Sequence, residues 1–249
     1  MFGLLLAIAF GAIFGSYATL FAYRLPLGES CFGRYFGAKS RCPSCNAIIK
    51  TRDLIPVINW LVTFGRCRNC STKIPRTHLF IELTTTILFA TCYLKFSFSE
   101  QFIIYALISV CLTILLVTDY THKTFPNPIL NLIVIAGICG RILTEGTILN
   151  VTFCAAMAVI CATIFYHIFY KTAQHLFTTQ QQAFDYIKMI LISGAILKLG
   201  SFLLYFAMVM LIMSLFVALN IPEQVRDKRK NLGFGYVFIL PLLALLFFA

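Results

Sequence analysis

The chain has 249 residues, 60% of them hydrophobic and 12% charged, with a mean hydropathy of +0.88 and a formal net charge of +11. That balance excludes an ordinary soluble domain and points to an all-α, polytopic membrane protein. The positive charge reports orientation in, and contact with, an anionic lipid bilayer, and calls for no nucleic acid.

In chain order, apolar runs predict eight transmembrane helices, at 2–23, 79–94, 102–118, 128–143, 149–170, 186–197, 201–220 and 233–249. The sixth has 12 residues, short enough to be half-buried or re-entrant. No basic residue precedes the first run and charges begin at Arg24, which predicts a retained span with its N-terminus outside rather than a cleaved signal peptide. With alternating spans, 17 of the 20 Lys and Arg fall on one side: ten within 24–78, then Lys123, Lys171, Lys188 and four within 226–230. Lys95, Arg141 and Lys198 fall on the other. By the positive-inside rule the rich side is cytosolic. The expected organisation is a single membrane domain over 1–249, with a cytosolic insertion at 24–78 and a helical bundle at 79–249.

The insertion carries the most specific signal. Cys42-Pro43-Ser44-Cys45 and Cys67-Arg68-Asn69-Cys70 are two CxxC turns with 21 residues between them. Each turn presents two sulfurs to one side, so together they supply four thiolates to one tetrahedral Zn²⁺. Arg41, Lys50, Arg52, Arg66, Arg68 and Lys73 would offset the negative charge of that site. The alternatives are two disulfides or four unrelated thiols, and a reducing cytosolic location favours zinc. Closed by four sulfurs, the site has no open position for a water, so the expected role is structural. Cys31, Cys92, Cys111, Cys139, Cys154 and Cys161 are scattered, five of them in apolar runs, and are assigned no chemistry.

Acidic residues number nine, and three of them abut spans on the cytosolic side: Glu82, Asp119 and Asp185. Carboxylates at a membrane boundary are functional candidates. Asp119 closes the third run and is followed by Pro126, which ends one helix and opens the next. Asp185 stands at the mouth of the sixth run. Both land at one membrane level, where two carboxylates held together share a proton. One then deprotonates a water while the other protonates a peptide carbonyl. The plainer alternative is that each caps a helix N-terminus or marks the bilayer edge. His78, His122, His167 and His175 include no HExxH, and His122 reads as a solvated loop residue. Trp60 reads as packing or interface anchoring for the cysteine loop.

Taken in order, several segments resemble the bacterial type IV prepilin peptidases, membrane aspartic proteases of the prepilin leader peptidase and N-methyltransferase family. They are Gly15-Ser16-Tyr17-Ala18-Thr19-Leu20 leading to Arg24-Leu25-Pro26, the paired CxxC loop with Ile55-Pro56, Asn59-Trp60 and Gly65-Arg66-Cys67, then Glu82, Asp119 with Pro126, and Gly233-Phe234-Gly235. The resemblance implies Asp119 and Asp185 as the catalytic pair, with Glu82 as the fallback partner. It implies as substrate a prepilin or pseudopilin of a type IV pilus or type II secretion system. The cut falls after the short basic leader, at the cytosolic face of the bacterial inner membrane. It also implies S-adenosylmethionine as methyl donor for the new N-terminus, although Gly33 and Gly37 form no glycine-rich strand–helix turn. One departure stands out: where the family has GxGD, this chain has Gln182-Ala183-Phe184-Asp185, and Lys188 lies one residue further along than expected. Two other classes fit less well. One is an inactive zinc-stapled scaffold of a pilus or secretion assembly. The other is a transporter using Asp119 and Asp185, although such sites lie at the bilayer midplane. The sequence leaves the oligomeric state open.

Overall fold

The computed structural model describes residues 1–29, 31, 41–50, 53, 55–145, 148–170, 180–218 and 234–248. Expectations that rest on Gly33, Gly37, Arg52, Lys171, His175, Gly233 and the basic run 226–230 lie outside the described residues. Among those described, the chain is helical, with two isolated β-bridges. The helices are α1 (Phe2–Arg24), α2 (Ile58–Val62), α3 (Arg76–Phe96), α4 (Glu100–His122), α5 (Asn127–Glu145), α6 (Ile148–Phe165), α7 (Gln180–Ile196), α8 (Leu199–Ala218) and α9 (Gly235–Phe248). A π-turn, Tyr166–Tyr170, extends α6.

Among the described residues, five helical segments are long and apolar enough to cross a membrane: Phe2–Leu27, Arg76–Phe96, Glu100–His122, Asn127–Thr144 and Leu149–Phe169. Leu199–Leu215 and Gly235–Phe247 are apolar but shorter. The chain divides into two compact units, Met1–Phe98 and Ser99–Ala249, so the cysteine loop shares a unit with α1 and α3.

In the first unit α1 lies along α3 through a stripe of small residues. Ala7, Gly11, Gly15, Ala18 and Ala22 recur every three or four positions and are buried. Opposite them are Ile81, Thr85, Phe89 and Cys92 of α3. A side chain at Gly11 would come within 2.8 Å of the Thr86 Cα, and one at Gly15 within 2.8 Å of the Glu82 Cα. Small residues let two helix backbones approach this closely, where apolar burial alone gives no preference between protein and lipid. The Gly15 segment noted in the sequence is therefore part of a helix-packing seam.

In the second unit α4 runs through the core, with Ile108 through Leu115 all buried. Ser99 caps its start, accepting from the Phe102 N–H at 3.3 Å. Lys123 ends it in a left-handed conformation, φ 61°. Leu112, Ile133, Met189, Ile190, Phe202, Tyr205 and Phe238 complete the core. Arg141 is buried on α5 and donates to the Leu197 carbonyl at 2.9 Å, meeting the electronegative C-terminal end of α7.

Helix α7 departs from expectation in its start. The apolar run predicts a beginning at Tyr186, but the helix begins at Gln180. Glutamine is a good helix former, and hydropathy marks where apolar surface begins, not where the helix begins. Asp185 therefore lies inside a helix rather than at its mouth.

Candidate functional site

In the first unit the two CxxC segments fold as a matched pair of turns. The Asn46 N–H donates to the Cys42 carbonyl at 2.9 Å and the Cys42 N–H to the Ala47 carbonyl at 3.0 Å. The second turn repeats this, Ser71 to Cys67 at 2.9 Å and Cys67 to Thr72 at 2.9 Å. Each is closed by a β-bridge, Arg41 with Ile48 and Arg66 with Lys73. Asn46 and Ser71 occupy the same place in their turns, both left-handed, at φ 56° and 58°. Asparagine accepts that conformation readily and serine less so.

The paired turns bring four thiols together. The sulfurs of Cys42, Cys45, Cys67 and Cys70 all lie within 4.8 Å of one another. Cys42 Sγ and Cys70 Sγ are 3.8 Å apart, matching the edge of a tetrahedron whose centre is about 2.3 Å from each sulfur, the zinc–thiolate distance. All four cysteines are free thiols, as metal binding requires. Two of the four thiols, Cys45 and Cys70, are held toward thiolate, while Cys42 is raised. A hydrogen bond with the Thr72 side chain, 3.2 Å away, leads in lowering Cys70 to about 6. The Asn69 amide, donating at 3.5 Å, leads in lowering Cys45. The residues present thus fit a tetrahedral thiophilic metal.

Trp60 packs beneath the second turn: a side chain at Gly65, itself at φ 65°, would come within 2.7 Å of the indole ring. Glu82 is also engaged within this unit. Its carboxylate accepts from the Val57 N–H at 2.7 Å and so holds a β-branched residue at φ 61°, a costly conformation, in the Ile55-Pro56-Val57 turn.

In the second unit Asp119 and Asp185 are both buried, each 2% exposed. Asp119 sits in the last turn of α4. Its Oδ2 accepts from the Gly235 N–H at 2.7 Å and its Oδ1 from the Tyr186 hydroxyl at 3.0 Å. Gly235 is the first residue of α9, so the carboxylate lies at the positive end of that helix. A side chain at Gly235 would come within 2.8 Å of the Asp119 Cγ and Oδ2, so only glycine allows this approach. Asp185 accepts from the Phe125 N–H at 3.2 Å, the Gln181 amide at 3.1 Å and the Lys188 ammonium at 2.9 Å. Lys188 also donates to Asn127 Oδ1 at 3.2 Å.

Each acid is thus bonded by a residue that lies near the other in the chain. Phe125, six residues beyond Asp119, reaches Asp185, while Tyr186, the residue after Asp185, reaches Asp119. Each acid takes a backbone N–H at or beside the start of a helix, so the plainer capping alternative is realised in part. Capping by itself does not account for the burial of both acids. His122 is exposed, but it is the last residue of α4, three before Phe125, and not a loop residue as the sequence suggests.

The sequence singles out Lys188 and Gly235 but gives no role to Tyr186, Gln181 or Phe125. The first two had a signal: on a helix begun at Gln180, Gln181, Asp185 and Lys188 share one face, and Gln182 and Tyr186 are an i, i+4 pair. Phe125 contributes its backbone, which carries no sequence signal.

Residues 9–96 match a family model described as the Bacterial Peptidase A24 N-terminal domain. A Bacillus subtilis (strain 168) protein named Prepilin leader peptidase/N-methyltransferase is 31% identical over 121 residues, covering 49% of this chain and 47% of the relative. A Myxococcus xanthus (strain DK1622) protein of the same name is 31% identical over 129 residues, covering 50% of this chain and 37% of the relative. An Escherichia coli O78:H11 protein, named Type 4 prepilin-like proteins leader peptide-processing enzyme, is 29% identical over 136 residues, covering 49% and 51%. The chain thus spans about half or less of the length of these curated relatives. No solved structure matches it. The resemblance to type IV prepilin peptidases stands on these matches.

Proposed function

We propose that this chain is a membrane aspartic endopeptidase that removes the leader from type IV prepilins or pseudopilins. The observation that carries the reading is the pair Asp119 and Asp185, each 2% exposed, with Phe125 beyond Asp119 bonding Asp185 and Tyr186 beside Asp185 bonding Asp119. Two buried carboxylates in that arrangement suit general acid–base attack of water on a peptide carbonyl, one as base and the other as acid. The names of the relatives supply the substrate class.

The same reading has the chain cross the bacterial inner membrane eight times, N-terminus outside, with the acids at the cytosolic face. A leader–helix junction still in lipid would meet them there. Cys42, Cys45, Cys67 and Cys70 would hold one Zn²⁺, which would clamp the loop and take no part in hydrolysis. N-methylation from S-adenosylmethionine rests on the family resemblance and the relatives' names, and no residue here is assigned to it. A non-cutting scaffold is the second reading, favoured by Gln182 and Phe184 in place of the glycines. Incubating purified protein with a prepilin and looking for the shortened product decides between them. A product formed by the parent and not by Asp119→Asn is the expected result, and its absence from both favours the scaffold.

A further inference from the structure

The Tyr186 side chain is fully buried, and a buried phenol has to place its hydroxyl proton on an acceptor. Three polar groups among the described residues meet the hydroxyl. The Gln182 amide donates to the hydroxyl oxygen at 2.7 Å and the Phe234 N–H donates to it at 2.7 Å. Asp119 Oδ1 lies 3.0 Å away. A phenolic hydroxyl has one proton and two acceptor positions. With both positions taken by N–H donors, the proton is left to point at Asp119. The ring cannot turn to relieve this, since it stacks on Phe238 at 4.8 Å and meets Phe125 edge-on at 5.8 Å.

Two consecutive backbone N–H groups at the start of α9 are divided across the same pair: Phe234 serves Tyr186 and Gly235 serves Asp119. Asp119 is thereby fixed at both oxygens by donors from two other helices. Gln182, one helical turn before Tyr186 on α7, sets which way the phenol points.

We infer that Tyr186 is a positioning residue for Asp119, oriented by Gln182 and the start of α9, and that this relay fixes the carboxylate in the geometry its chemistry needs. This rests on the peptidase reading for its kinetic consequence, and on the hydrogen-bond geometry alone for its structural one. A hydrogen bond to a charged group is strong enough that Tyr186→Phe should lower kcat for prepilin cleavage by about ten- to a hundredfold, with KM within about twofold. Gln182→Glu, nearly the same shape, puts a competing acceptor beside the hydroxyl and should lower kcat as far as Tyr186→Phe. Gln182→Met, which removes a donor but adds no acceptor, should lower it about threefold.

The experiment measures these rates on full-length protein in lipid. It is joined to ultraviolet resonance Raman difference spectra, parent minus Tyr186→Phe, which report whether that phenol donates or accepts. A strongly donating phenol whose signature is lost in Asp119→Ala is the expected outcome. A kcat for Tyr186→Phe and Gln182→Glu within twofold of the parent overturns the inference, as does a phenol signature indifferent to Asp119→Ala. Should Tyr186→Phe fail to accumulate, Gln182→Glu carries the kinetic arm. If the parent cuts no prepilin, the peptidase reading falls, and the Raman comparison still decides whether Tyr186 holds Asp119.

Discussion

The thiol cluster and the carboxylate network solve the same problem, holding several polar groups at fixed distances, by opposite means. Each half of the thiol cluster is a turn closed on itself, in which residues no more than nine apart bond one another. It is polar and partly exposed, and needs little surrounding structure. The carboxylate network is assembled from groups 60, 67 and 116 residues apart and is buried. Local turns give a geometry that spacing encodes. A buried network depends on where whole helices end, so each helix terminus becomes a part of the site.

The comparison implies that damage to the carboxylates should abolish chemistry, and the largest effect tests that first. Asp119→Asn and Asp185→Asn should each lower the cleavage rate by about a thousandfold or more while protein still accumulates, because acid–base roles of this kind contribute about 10²–10⁴-fold. Initial rates on matched, folded protein measure it. Full activity in Asp185→Asn would remove that residue, and Glu82→Gln would be tried next, although its bond to Val57 gives Glu82 a structural occupation already.

Gly235→Ala asks whether the network depends on backbone approach alone. Alanine suits a helix better than glycine by about 0.5–1 kcal/mol, so a purely local site would gain stability. Here the new methyl would lie 2.8 Å from the Asp119 Cγ, and either the carboxylate or α9 must move. About a hundredfold loss of kcat is expected, since misplacing a reacting group by about 1 Å costs that much. A variant as active as the parent would show that the Gly235–Asp119 contact is incidental.

Cys67→Ser with Cys70→Ser should sharpen the other side of the comparison. The expected result is loss of bound metal and protease sensitivity confined to the cysteine loop. KM should rise about tenfold with kcat changed less than about threefold, as when uniform binding is removed. Elemental analysis of the gently purified parent should give one zinc per chain. A collapse of kcat equal to that of Asp119→Asn in still-folded protein would make the thiol cluster part of the active site.

The smallest effect is expected at Asn69. Its amide faces Cys45 Sγ at 3.5 Å, and groups that support a metal ligand in this way typically contribute about ten- to a hundredfold in affinity. Asn69→Ala should therefore weaken zinc about tenfold in a chelator competition while leaving the cleavage rate unchanged. Unaltered affinity would leave the thiol cluster dependent on its turns alone.

The departure at Gln182 and Phe184 looked, in sequence, like erosion of a glycine motif. In the structure Gln182 is buried and bonded to Tyr186, whereas Phe184 is exposed. One replacement has thus been built into the network, and nothing in the structure explains the other. Lys188, one residue later than the resemblance expects, still reaches Asp185 because i+3 lies on the same helical face as i.

By itself the sequence determined the helical membrane class, the placing of its apolar runs, the thiol cluster and the three acids, Glu82, Asp119 and Asp185, that abut those runs. These follow from hydropathy, from spacing and from the scarcity of acids in a greasy chain, all properties of short stretches. Tertiary structure alone decided that α7 begins a turn and a half before its apolar run. It also decided that the start of α9 supplies two N–H groups to Asp119 and Tyr186, and that Glu82 is spent on Val57. Those facts depend on backbone groups and helix ends meeting across long stretches of chain. A backbone N–H is the same at nearly every residue, so no pattern of side chains records which carboxylate it will serve.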